Sequence, residues 1–169
     1  MKKRYLIITA VVSYFLLLIA TIPANVITNI INSTSTVSIQ GVSGTLWHGQ
    51  AYLTTINKSV QLKNTEWSVS VWKILIGKLA ADVTTHYADQ TINAELGRSF
   101  LGQYFTNHLN AKITANNIAK LANIPLAQLS GLVSVNITHA EWKQGELPIA
   151  VGKILWSDAT VTVAETAAL

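Results

Sequence analysis

The sequence contains no cysteine. That excludes disulfide staples, thiolate metal sites and a cysteine nucleophile, so any domain exported from the cytoplasm must hold itself together by packing and hydrogen bonding alone. Acidic residues are scarce as well. Eight Asp and Glu occur in 169 positions, and none precedes Glu66. Between Arg4 and Lys58 there is no charge of either sign. Twelve Lys and Arg set a formal net charge of +4, but three of them, Lys2, Lys3 and Arg4, precede that uncharged stretch and leave nine bases against eight acids. No later basic cluster interleaves with aromatics, so the composition points away from a nucleic-acid surface. Glu and Lys are sparse, while Thr, Ser, Asn, Val and Ile are plentiful. This is the usage of a β-rich domain.

What the first residues do have is a basic tip followed by an apolar run. Tyr5 leads into Leu6–Ile22, 17 uncharged and mostly apolar positions closed by Pro23. As a helix the run would reach about 26 Å, near the ~30 Å hydrocarbon core of a bilayer. It exceeds the ~7–15 residue centre of a signal peptide, and the best cut, after Ala24, is preceded by Ile22 and Pro23 instead of a small-x-small pattern. The reading is a retained anchor over residues 5–23, carried by Leu6, Ile7, Val11, Phe15, Leu18 and Ile22. Residues 1–4 form a tip that Lys2, Lys3 and Arg4 hold on the cytoplasmic side. Thr9, Ser13 and Tyr14 lie within one and a half turns of each other, where hydroxyls bond their own helix backbone more often than a partner helix. Residues 24–36 read as a linker. In it Val26, Ile27, Ile30 and Ile31 recur at helical spacing, and a Ser/Thr cluster follows.

From Val37 the pattern alternates with period two, which predicts strands. Thr45–Trp47 and Ala51–Thr54 read as a hairpin with His48-Gly49-Gln50 as its turn. Val60 begins a further strand. Leu79–His86 and Thr91–Leu96 pair across Tyr87–Gln90, Phe105–Thr114 is a weaker strand, and Leu129–Trp142 and Lys153–Val163 complete the set. Ala115–Asn123 reads as a short helix stopped before Pro125, and Trp72–Ile76 as a second. Ser59-Val60-Gln61-Leu62, Glu66-Trp67 and Gly77-Lys78-Leu79 recur 75 residues later as Ser134-Val135-Asn136-Ile137, Glu141-Trp142 and Gly152-Lys153-Ile154. This predicts a curved, mostly antiparallel sheet over residues 37–169 built from two repeated units, about 41–96 and 128–169. Pro148 stands where the first copy has Lys73, so the second copy should lack the Trp72–Ile76 helix. To match the first copy the second would have to reach about residue 171, which predicts a frayed last strand or a longer natural chain, with an exposed edge for a partner strand.

Candidate chemistry is thin. His48 has no acid near it in sequence and reads as a turn residue. His86, His108 and His139 are dispersed, without the tight spacing a metal requires. Asp82, Asp89 and Glu95 surround a hairpin and read as its solvated face. Gly41 and Gly44 are followed by neither a Lys nor a helix start, so they read as bulge or turn glycines, not a phosphate loop. Trp47, Trp67, Trp142 and Trp156 read as core more than as a recognition face. No catalytic residue, cofactor or metal is expected.

The run Gly41-Val42-Ser43-Gly44-Thr45-Leu46-Trp47-His48-Gly49-Gln50-Ala51, after a single N-terminal anchor and before Trp67, Trp142 and the Gly152…Trp156 unit, resembles the type II secretion system protein N family. The resemblance spans most of the chain and rests on structural glycines and tryptophans: Gly41, Gly44, Leu46, Trp47, Gly49, Trp67, Trp142, Gly152 and Trp156. It implies a bitopic inner-membrane protein of a Gram-negative bacterium. The N-terminus would be cytoplasmic, the domain periplasmic, and the role non-enzymatic support for export of folded proteins. Partners would be other secretion subunits, with membrane lipid around the anchor. The family's members are longer, so the chain reads as short at its C-terminus. A looser likeness, through the Gly…Leu-x-Trp units, is to AsmA-type envelope proteins, which implies the alternative of an apolar β groove that binds or transfers lipid.

Overall fold

A computed structural model of the chain describes residues 2–26, 28, 32, 36–57, 60–121 and 127–163. Eight strands form one antiparallel sheet in strict sequence order. They are β1 (Val37–Gly44), β2 (His48–Ile56), β3 (Val60–Val69), β4 (Lys78–Tyr87), β5 (Gln90–Ser99), β6 (Tyr104–Thr114), β7 (Ala127–Trp142) and β8 (Ile149–Val163). Helices accompany them at α1 (Lys2–Ala20), α2 (Val71–Leu75) between β3 and β4, and α3 (Ala115–Leu121) between β6 and β7. β1 and β8 pair with one neighbour each, so the sheet is open.

Every connection joins adjacent strands, so the links fall alternately at the two ends of the sheet. β1–β2, β3–β4, β5–β6 and β7–β8 turn at one end, and the other three links turn at the opposite end.

The two faces follow from alternation along each strand and register across strands. One row of facing residues runs Gln50, Glu66, Thr84, Asn93, Asn110, Asn136 and Lys153 from β2 to β8. The adjacent row on the other face runs Thr85, Ile92, Ala111, Val135 and Ile154 from β4 to β8. One face is therefore polar and the other apolar. No second sheet covers the apolar face among the described residues. Among the described residues the buried hydrophobic ones are eight alanines and Phe105, and no large side chain falls below 2% exposure. Cross-strand pairs, each contributing roughly 0.2–1 kcal/mol, carry much of what a two-layer core would supply.

Bulges interrupt the ladder between Lys63 and Glu66, between Asn93 and Glu95, and twice between β7 and β8. Asn64, His108 and Asp158 take positive φ at three of them. An extra residue on one strand bends it and increases its twist, which gives the sheet its curvature.

Several expectations are revised. The tight turn of the first hairpin is Thr45-Leu46-Trp47, not His48-Gly49-Gln50, which lie in β2. Closure there comes from Thr45 N–H donating to the His48 carbonyl (2.8 Å) and from Trp47 turning out of the ladder. The 75-residue spacing does not carry over to the strands that follow β3 and β7. A 75-residue shift of the Trp67–Val83 pair would set Trp142 opposite Asp158, yet Glu141 is opposite Ile149, and Gly152 sits inside β8 opposite Ile137, whereas Gly77 precedes β4. The reason lies in the connections. The first contains α2, while the second contains Pro148 and no helix, so β8 starts sooner.

The helix expected over 5–23 stops at Ala20, and Pro23 forms a bridge with Thr45. Among the described residues no helix is long and apolar enough to cross a membrane. Beyond its basic start, α1 supplies Tyr5–Ala20, about 24 Å at 1.5 Å per residue against a ~30 Å hydrocarbon core. In the linker, backbone at 24–26, 28 and 32 is helical, and the Asn32 amide binds both backbone groups of Ile39 (Oδ1 to N 2.7 Å, Nδ2 to O 3.0 Å). Ile27, Ile30, Ile31, the Ser33–Ser35 cluster, the expected helix end at 122–123 and the last residues 164–169 lie outside the described residues.

Phe105 lies across Gly97, where an added Cβ would come within 2.2 Å of the ring. Gly97→Ala should cost about 1–3 kcal/mol and lower the thermal midpoint by several degrees. Gly102→Ala meets open space and pays only for its positive φ (+86°), so its midpoint should fall by less. Circular dichroism melts of the full chain in one detergent check both.

Candidate functional site: the helix–sheet junction and the polar face

The Gly-Thr-Leu-Trp hairpin is where α1 meets the sheet. Trp47 Nε1 donates to the Ile19 carbonyl in the last turn of α1 (2.8 Å), and Leu46 N–H donates to the Ile22 carbonyl (2.9 Å). Both acceptors are carbonyls near the helix C-terminus, where backbone groups lack intrahelical donors. Trp67 on β3 donates from Nε1 to the Leu46 carbonyl (3.1 Å), and its ring lies over Gly49 on β2. A Cβ at Gly49 would stand 2.4 Å from that ring, so only glycine admits it. Gly41 and Gly44 take φ of +65° and +91°, and Gly44 packs against the His48 carbonyl. Leu46, Trp47, Gly49 and Trp67 thus form one junction.

The remaining motif residues lie elsewhere. Trp142 stacks on Tyr104 (5.9 Å, 16°), and Trp156 donates from Nε1 to the Ser130 carbonyl (3.0 Å) while 39% exposed. The tryptophans expected in a core are instead half-buried or exposed on a single-layer sheet. Along α1, Leu6, Ile7, Val11, Phe15 and Leu18 are 47–70% exposed. Ile22 follows the helix. Thr9, Ser13 and Tyr14 are exposed in α1 as well.

The polar face joins groups that lie far apart in sequence. Register aligns His48, Ser68, Asp82, Glu95, Asn107 and His139 across β2 to β7. Glu95 is buried and not part of a solvated hairpin, because α2 delivers Lys73 onto it as a salt bridge. Asn107 Nδ2 donates to the other Glu95 oxygen (3.0 Å), which leaves Asn107 Oδ1 to accept from His139 Nδ1 (2.6 Å). His139 Nε2 stands 3.6 Å from Glu141. Burial alone would push the Glu95 carboxyl up. Hydrogen bonds from Lys73 and Asn107, with the charges of Lys73 and His108, outweigh it and hold the carboxyl below the ordinary value of 4.5. Lys73 and Asn107 carry no sequence signal, since each lies 12 or more positions from Glu95.

This arrangement links α2, β5, β6 and β7 through side chains. Among the described residues His48 shares no hydrogen bond with Ser68 or Asp82, and no three His, Asp or Glu gather at metal distance. An open depression of about 550 Å³ beside His48, Glu66, Trp67 and Asp82 holds no ion pair among the described residues. Asp89 takes positive φ in the β4–β5 turn, and His86 Nδ1 is buried without a partner.

Two outcomes follow. Glu95 is ionised in the folded chain at pH values where the unfolded chain is protonating. Its stabilisation is therefore complete above about 4.5 and disappears as pH falls through the lower folded value. Glu95→Gln should lower stability at pH 7 by about 1–3 kcal/mol and flatten the acid limb below pH 4.5, measured by denaturant titration at several pH values. Trp47→Phe removes the hydrogen bond to Ile19 and should raise protease cleavage at Thr21–Ala24 roughly fivefold, in line with about 1 kcal/mol. Gel densitometry over time reads that rate.

No curated protein and no solved structure matches the chain. A family model, Type II secretion system (T2SS), protein N, matches residues 35–168, from just before β1 to beyond β8. The chain, with its glycine- and tryptophan-built junction and its open sheet, belongs to the type II secretion system protein N family.

Proposed function

We propose that the chain is a non-enzymatic, inner-membrane-anchored component of the type II secretion machinery, with its sheet in the periplasm, and that it supports export of folded proteins by binding other subunits. The observation that carries this reading is the family match across the whole sheet. The fold adds support. A sheet whose apolar face has no second sheet over it among the described residues has surface to offer a partner, since a sheet buries its apolar face against another element in a stable domain. On the polar face Asn107 bridges Glu95 and His139, a structural use of these side chains that is in keeping with this reading.

The anchor is α1. Its large apolar side chains are unpacked, and Arg4 and the lysines before it sit at one end. The shortfall of its helical run is of the size that local bilayer thinning and snorkelling of basic side chains absorb. Basic residues at the start favour a cytoplasmic N-terminus. The domain assignments follow: a tip at 1–4, an anchor at 5–23, a linker at 24–36 and a periplasmic sheet from 37.

A second reading is favoured by the apolar row Ile92, Ala111, Val135 and Ile154, which would suit acyl chains in an AsmA-like role. Native mass spectrometry of the full chain released from nanodiscs separates the two. Bound phospholipid that survives dilution and is lost on Val135→Lys favours the lipid reading.

Deleting the gene should trap exoproteins in the periplasm, and the full-length gene should restore their release. Normal secretion in a strain without a second copy would remove the proposed role.

A further inference from the structure

We propose that the end of the sheet carrying the β1–β2, β3–β4, β5–β6 and β7–β8 links rests on the phospholipid bilayer and inserts its loop tips into the headgroup boundary. The inference rests on the anchored reading of α1 and adds a second membrane contact, made by the sheet itself.

Three observations converge on that end. The first is exposure. Trp72 (79%), Leu75 (74%) and Ile76 (71%) stand around α2, Phe100 (70%) and Leu101 (93%) form the β5–β6 tip, and Leu147 (90%) lies in the β7–β8 link. Isolated apolar residues on a surface need no explanation, but these gather on successive links of one end. Phe100 N–H donates to the Gly77 carbonyl (2.9 Å), so the β5–β6 tip is tied directly to the residues after α2. At the opposite end the β4–β5 turn is Ala88-Asp89, and Asn57 follows β2.

The second is position. The same end bears the hairpin that holds the C-terminus of α1 through Trp47–Ile19 and Leu46–Ile22. A helix seated in a bilayer and joined there brings this end of the sheet, and not the other, to the membrane surface. That continuity selects lipid over a protein partner as the occupant.

The third is charge and residue type. Lys78 opens β4, Arg98 lies one residue from the end of β5, and Lys143 follows β7, all exposed. Each stands just behind the apolar tips, at the level of lipid phosphates. Lys78 lies over the Phe105 ring and Arg98 over the Tyr104 ring, at 5.4 and 5.0 Å from the centroids, which holds both cations at the rim. Glu146 is the acidic exception within the links. Trp, Phe and Leu ahead of Lys and Arg is the composition that seats a surface at a membrane interface.

The absence of native cysteine makes the test direct. Single-cysteine variants of the full chain, Leu101→Cys and Leu147→Cys at the rim, Asp89→Cys at the far end and Leu16→Cys in α1, are labelled with an environment-sensitive fluorophore. They are reconstituted in vesicles of phosphatidylethanolamine and phosphatidylglycerol containing brominated phospholipid. The proposal expects at least about twofold quenching at 101 and 147 and none at 89. A fourfold Trp72→Ser, Leu75→Ser, Phe100→Ser, Leu147→Ser variant, with its melt checked, should abolish quenching at 101 while position 16 stays quenched. Quenching at 16 without quenching at 101 and 147 overturns the rim and leaves the anchor standing, and it is also the result if the tips dock on a protein. Quenching at neither site overturns both. Quenching at 101 and 147 but not at 16 supports the rim and removes the anchor.

Discussion

A β-sheet with one apolar face leaves that face wet unless something is laid over it, and here no second sheet is, among the described residues. The eight strands pair only with their sequence neighbours, so the sheet extends sideways without folding back into a second layer. Burial is consequently shallow. Alanine, threonine and one phenylalanine fill positions that a sandwich would give to leucine and isoleucine. The sheet is held by ladder hydrogen bonds, by cross-strand pairs and by the few places where a helix or ring covers it. Phe105 over Gly97 is one such place, and α2 delivering Lys73 onto Glu95 is another.

That constraint bears on function. A sheet that completes its own core has little left to offer, whereas this one keeps an apolar face with no second sheet over it among the described residues and a rim of exposed loop tips. Membership of the type II secretion system protein N family places it among the components of a multi-subunit machine, and such surfaces suit work done by contact. The polar face is the self-sufficient side. Its acid is paired, its amide bridges, and its histidine is bound on Nδ1. The Lys73–Glu95–Asn107–His139 network ties α2 and three strands together.

The glycine and tryptophan run of residues 41–51 illustrates how a family motif can be geometric and not chemical. Gly49 makes room for the Trp67 ring, Trp67 holds the Leu46 carbonyl, and Trp47 holds the end of α1. The result is a fixed joint between an apolar helix and a sheet. From sequence these residues were recognisable as a pattern, but the turn was placed three residues late. Alternation alone does not reveal that Trp47 leaves the ladder to find an acceptor 28 positions earlier.

Local physics was legible in the residues themselves. Period-two alternation located the strands, Pro148 excluded a second α2, and the basic tip with its apolar run marked α1. The absence of cysteine and of clustered ligands pointed away from thiol and metal chemistry. What depended on distant partners was decided only by the tertiary structure. The 75-residue repeat did not extend to the pairing of β4 and β8, because register follows from the length and conformation of each connection. Glu95 became a buried ion-pair partner because α2 brings Lys73 across 22 residues. The shared end of the apolar tips and the α1 joint emerged from strand order, since only the alternation of links in an antiparallel meander determines which loops become neighbours.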